Sequence, residues 1–154
     1  MTTEERLDNL ERELADLKAE LANRVRTAAV EVVDENGETR AALFVTVDGP
    51  MLSLRDAADQ GRAVLAMTPV GPALSLLDEA GKVRATLCVG ADGPVLRLLD
   101  AAGEVRAGLG VSADGPGLAL RDAADKARAG LTVAPDGPGL FLFDTAGKMI
   151  WRAP

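Results

Sequence analysis

From residue 30 onward this chain repeats itself every 22 residues, with no insertion or deletion. Asp recurs at Asp34, Asp56, Asp78, Asp100, Asp122 and Asp144, and Arg at Arg40, Arg62, Arg84, Arg106 and Arg128. Gly-Pro recurs from Gly49-Pro50 to Gly137-Pro138, and only the second of the five lacks a preceding Asp, having Val70 instead. The consensus is L-x-L-x-D-x-x-G-x-x-R-A-x-L-x-V-x-x-D-G-P. A period held this strictly means that every unit meets the same surroundings in the same way. The units begin near residues 30, 52, 74, 96, 118 and 140.

Each unit holds two alternating runs, such as "LSLLD" and "RATLCV". Period-two alternation over five or six residues predicts half-buried strands. Leu74 and Leu76 of one strand share a face with Ala85, Leu87 and Val89 of the next, whereas Ser75, Thr86 and Cys88 point the other way. Both connectors carry turn chemistry: D-x-x-G supplies an Asp cap and a positive-φ glycine, and D-G-P adds a proline beside the bend. Parity suggests a register. Val32 should face Ala41 and Val30 should face Leu43 around a loop at Asn36-Gly37. Val45 should face Leu52, and Leu43 should face Leu54, around a loop at Asp48-Gly49. The result is an antiparallel meander of about eleven strands. A parallel β-solenoid also fits the period, but it would stack like charges ~4.8 Å apart.

The first 26 residues follow another rule. Leu7, Leu10, Leu14, Leu17 and Leu21 are spaced by three and four residues, the a/d seam of a coiled coil, which fades at Arg24. Thr2 and Glu5 form a capping-box pattern. A lone helix of this length is marginal in water, so its stripe calls for a partner. The segment "RLDNLE" resembles the signature of short trimeric coiled coils. That resemblance implies that Arg6 reaches Glu11 of a neighbouring helix across Leu7 and Leu10. Two domains are expected: a coiled-coil helix over 1–26 and a β-hairpin repeat domain over 27–154.

Composition narrows the function. The net charge is −7, against nucleic acid and anionic lipid. There is no histidine and no tyrosine, which removes the commonest general base, metal ligand and phenolic acid. One cysteine, Cys88, permits no intrachain disulfide. No cofactor or metal motif is present: the oxygen-rich repeats of calcium sites and the Gly-rich phosphate loops are both missing. With no apolar leader or span, the chain is expected to be cytoplasmic, or alternatively part of a phage-like particle.

Something must bury the leucines. Three sheets around one axis, with strands ~17–20 Å across, place the centre ~5 Å from each face, half the spacing of packed sheets. A trimeric β-prism behind a parallel coiled coil would therefore close with aliphatic side chains alone. Closure within one chain would leave a barrel too wide for Leu and Ala to fill, which suits an apolar ligand or lipid. The D-x-x-G-x-x-R-A-x-L-x-V units resemble those of uncharacterised bacterial proteins whose hairpins form the petals of a "β-flower". That resemblance covers residues 30–147 and implies a closed fold of little assigned activity. The coiled-coil-plus-prism plan also looks like the shafts of trimeric phage and adhesin fibres.

Candidate site residues are few. The oligomerisation set is Arg6, Leu7, Leu10, Glu11, Leu14, Leu17 and Leu21. At the C-terminal end Phe141, Phe143, Ile150 and Trp151 break the repeat, as a cap over the last strand or a docking patch for protein or apolar ligand. The expected function is a non-enzymatic structural or assembly protein that binds itself as a homotrimer. An apolar-ligand module is the alternative.

Overall fold

A computed structural model gives the fold of residues 2–23 and 28–153. Arg24, the expected boundary at 26/27 and the side chain of Leu21 lie outside the described residues. Helix α1 spans Thr3–Asn23. The capping box forms as expected: the Thr2 amide donates to Glu5 Oε2 at 2.7 Å and the Glu5 amide to Thr2 Oγ1 at 3.3 Å.

Twelve strands follow: β1 (Ala29–Val33), β2 (Thr39–Thr46), β3 (Gly49–Arg55), β4 (Gly61–Thr68), β5 (Gly71–Leu77) and β6 (Val83–Gly90); then β7 (Gly93–Leu99), β8 (Val105–Ser112), β9 (Gly115–Arg121), β10 (Ala127–Ala134), β11 (Gly137–Phe143) and β12 (Met149–Ala153). They form one antiparallel sheet in sequence order. β1 and β12 do not pair, so the sheet is open. This corrects both alternatives drawn from the sequence. The chain is neither a closed β-flower barrel nor a parallel solenoid. Connections of two and five residues can only reverse the chain, and twelve short strands closed on themselves would enclose a space their side chains cannot fill.

The first kind of turn has one construction throughout. At Asp78 the Gly81 amide donates to the Asp78 carbonyl, and Asp78 Oδ1 accepts the amides of Ala80 and Lys82 at 2.9 and 3.0 Å. Gly81, at φ +73°, supplies the left-handed residue that closes the loop. Next comes a bulge: Leu76 pairs with Ala85 and Leu77 with Val83, which leaves Arg84 as the extra residue. The repeat arginine is thus turned back on its own hairpin. Arg84 Nη1 lies 3.3 Å from Asp78 Oδ2, and its Nε donates 3.0 Å to the Leu99 carbonyl of the next repeat. Arg40, Arg62, Arg106 and Arg128 each reach back to their own turn aspartate in the same way and forward to a carbonyl of the next repeat, Asp56 for Arg40, Leu77 for Arg62, Asp122 for Arg106 and Thr145 for Arg128.

The second kind of turn is tighter than parity suggested. Val45 pairs with Pro50, Leu43 with Leu52 and Ala41 with Leu54, so the loop is Val47-Asp48 and the register is two residues from the expected one. A shift of two keeps every side chain on its expected face. The loop is tied by a hydroxyl: Thr46 Oγ1 donates to the Gly49 carbonyl and accepts the Asp48 amide. Thr68 does the same, so Val70 fits where other repeats have Asp. The glycine that opens the following strand packs on the neighbouring hairpin in every such turn but the last, where Gly137 meets no atom within 4 Å. A Cβ at Gly71, Gly93 or Gly115 would stand 2.0–2.1 Å from the carbonyl oxygen of Val89, Val111 or Val133.

Candidate assembly interface

Register sorts the apolar side chains into three columns on one face. The central column reads Leu43, Leu52, Leu65, Leu74, Leu87, Leu96, Leu109, Leu118, Leu131 and Leu140, each paired with the next. Ten internal strands each place a leucine there. The column toward the D-x-x-G turns alternates alanine and leucine, as in Ala85, Leu98, Ala107 and Leu120. The column toward the D-G-P turns pairs a valine or methionine with each proline, as in Val89 with Pro94.

Nothing covers this face. Leu87 is 49% exposed and Leu96 37%, and the same two values recur almost unchanged from one repeat to the next. The opposite face, with Ser75, Thr86 and Cys88, is half-buried. The leucine face read from the sequence as the inward one is therefore the more exposed one within a single chain. Among the described residues only Ala42, Ser53 and Gly139 are buried. The chain exposes 11175 Å², whereas a folded monomer of its mass exposes about 7,400 Å². The excess is about 3,800 Å², as large as obligate interfaces bury.

The helix carries a second apolar stripe. Leu7, Leu10, Leu14 and Leu17 are all more than half exposed, and Arg6 and Glu11 are exposed as well. Among the described residues α1 makes no contact with any strand. The helix leucines thus do not use the sheet as their cover.

The C-terminal residues do not form one patch. Leu142 pairs with Trp151 on the leucine face, where Trp151 takes an alanine slot and is 47% exposed. Phe141 pairs with Arg152 on the opposite face. Its ring lies over Gly139, where a Cβ would come within 2.5 Å of it, and the Arg152 guanidinium stands 5.4 Å from its centroid. Phe143 shares that face, and Ile150 is the bulge residue in the arginine slot, 62% exposed. Trp151 therefore extends the leucine face, and Phe141 fills a gap its own strand leaves.

The carboxylates of the turns are structural in geometry. Arg40 holds the Asp34 carboxyl below its ordinary range, with help from the Glu38 and Asn36 amides. For Asp56, Asp78, Asp100 and Asp122 the amide four residues on is the main cause of the same downward shift, with the repeat arginine adding to it. Two repeats differ together at two positions. Asp59 and Asp125 replace the turn glycine at φ near +60°, and Arg55 and Arg121 appear four residues earlier to pair with them at 2.8 and 3.0 Å. No group of three or more metal-ligating side chains is assembled among the described residues. The face opposite the leucines dips into a trough of about 760 Å³ floored by Gly108, Gly110 and Gly117, with Cys88 and Arg97 at its rim. No helix among the described residues is long and apolar enough to cross a membrane.

No family model matches the chain, and no curated protein matches it. Among solved structures it is similar to a point mutant of S. aureus TarM in complex with fondaparinux, α-GlcNAc-glycerol and UDP. The TM-score is 0.40 and the identity 7%; the match covers 79% of this chain and 23% of that one. A similarity of that size carries no argument about this chain.

Proposed function

We propose that this chain is a non-enzymatic structural protein that assembles with itself as a homotrimer, a parallel coiled coil setting the register of a β-prism shaft. The observation that carries the reading is the pair of apolar stripes, one on α1 and one on the sheet, neither covered by the other. The 3-4 leucine spacing and the Arg6–Glu11 signature favour three parallel helices. The open sheet supplies no lumen for a lipid, so the apolar-ligand alternative loses the closed barrel it needed. The prism would present the Asp–Arg turns outward along the shaft, and its role would be spacing or display.

Native mass by light scattering tests this directly. The expected mass is three times the 16.0 kDa of the chain. Replacing Leu10 and Leu14 together by Asp is expected to yield monomers. A wild-type mass of one chain overturns the proposal, and a trimer that survives the double substitution removes the helix from it.

A further inference from the structure

The homotrimer reading leaves open how three leucine faces meet, and on that reading the columns decide it. We propose that copies of this chain join head to tail at each edge of the prism: the alanine–leucine column of one sheet packs on the valine–proline column of its neighbour, with the ten-leucine column on the axis.

The occupant of the leucine face must match it over its whole length. Every two strands, a rise of about 9.6 Å, the face presents the same side chains. A partner without that period would fall out of step within two or three repeats. The surface that carries the period is the same face of a second copy. The area is sufficient: the excess of about 3,800 Å² per chain, to which α1 and the leucine face both contribute, is well above the roughly 800 Å² that each partner gives to a standard interface. Parallel helices would put the copies at equal height, so β6 of one chain meets β6 of the next.

Rotation by a third of a turn carries one end of a strand next to the opposite end of the neighbouring strand. Like columns therefore never meet at an edge. The two side columns suit each other. One alternates a small and a large side chain, Ala85 then Leu98, and the other is of nearly constant size, Val89 then Pro94. The central leucines have no such alternation, and on a three-fold axis they need none: three leucines converge at each level where the faces stand ~5 Å from the axis.

Crosslinking tests the arrangement. Ala85 and Val89 lie on one strand about 13 Å apart, beyond the reach of a shorter bis-maleimide. The full-length variant A85C/V89C/C88S should give covalent trimers. A85C/C88S and V89C/C88S, each with a single thiol per chain, should give none, and nor should the wild-type chain, whose Cys88 is on the far face. The pair A107C/V111C in the C88S background repeats the test one unit along. Crosslinking by the single-thiol variants would mean that like columns meet, and covalent dimers as the end product would mean a two-fold pair. Either result overturns the proposal, as does a trimeric native mass with no crosslink from either pair. A native mass of 16.0 kDa instead overturns the homotrimer reading beneath it.

Discussion

Replacing Leu87 by alanine separates a shared core from a bare face. In a single chain Leu87 is 49% exposed, so about half of its transfer free energy has been gained. Full burial of a leucine stabilises by ~1.5–3 kcal/mol, which leaves about 1 kcal/mol at stake in a monomer. In a closed trimer the exposed half is covered as well, and truncation adds a cavity. The loss then rises to about 2–5 kcal/mol per chain. Assembly alone gives up about 1 kcal/mol for each of three copies, about 3 kcal/mol per trimer, which weakens association roughly a hundredfold. Sedimentation equilibrium over a range of concentrations reads that constant. Thr86→Ala, on the opposite face, is the control and should leave it unchanged. The melting temperature of L87A should fall by at least about 4 °C and should depend on protein concentration more steeply than that of the wild type. Equal behaviour of L87A and T86A, with no concentration dependence in either, would refute the shared core.

Two further outcomes follow from the turns. The carboxylates of Asp34, Asp56, Asp78, Asp100 and Asp122 titrate below their usual range in the folded chain. The unfolded chain takes up protons first, so the stabilisation they give is complete above about pH 5 and drains away as pH falls through the lower folded values. Urea midpoints should be level from pH 5 to 8 and drop below about pH 4; a decline that begins at pH 6, or none by pH 2.5, would contradict this. Gly71→Ala drives a Cβ to 2.0 Å from a backbone oxygen, whereas Gly137→Ala meets no atom within 4 Å, and both have positive φ. G137A should cost about 1–2 kcal/mol, the strain of its φ alone, and G71A more than about 3 kcal/mol. Equal urea midpoints would show that the D-G-P turns do not lean on their neighbours.

Much of this fold could be read before the structure, because each hairpin repeats one local rule. The pairing of Val32 with Ala41 and Val30 with Leu43 came out as read. The Val45 register missed by two residues because D-G-P looked like the centre of its turn; in fact the glycine already pairs with Thr46 in the ladder. Parity protected the faces, since an even slip leaves side chains where they were. The arginine's role was missed. The signal was available as an odd residue count between turn and strand, which implies a bulge, but the reach of Arg84 to the Leu99 carbonyl depends on the neighbouring hairpin's position. The exchange of Leu-and-Gly for Arg55-and-Asp59 was also visible as a paired change between repeats, and the salt bridge explains it. Which face is the more exposed within one chain could not be read from its pattern, because alternation marks two faces without saying which is inside.

Each strand pairs only with its neighbours in sequence, and that makes length a separately adjustable property. One added or deleted 22-residue unit changes the span by two strands, about 9.6 Å, and leaves every remaining contact as it was. Such a chain is a ruler graduated in repeats. Its reach can change by duplication or loss of a single unit, in whole steps, without a new fold being found for each length.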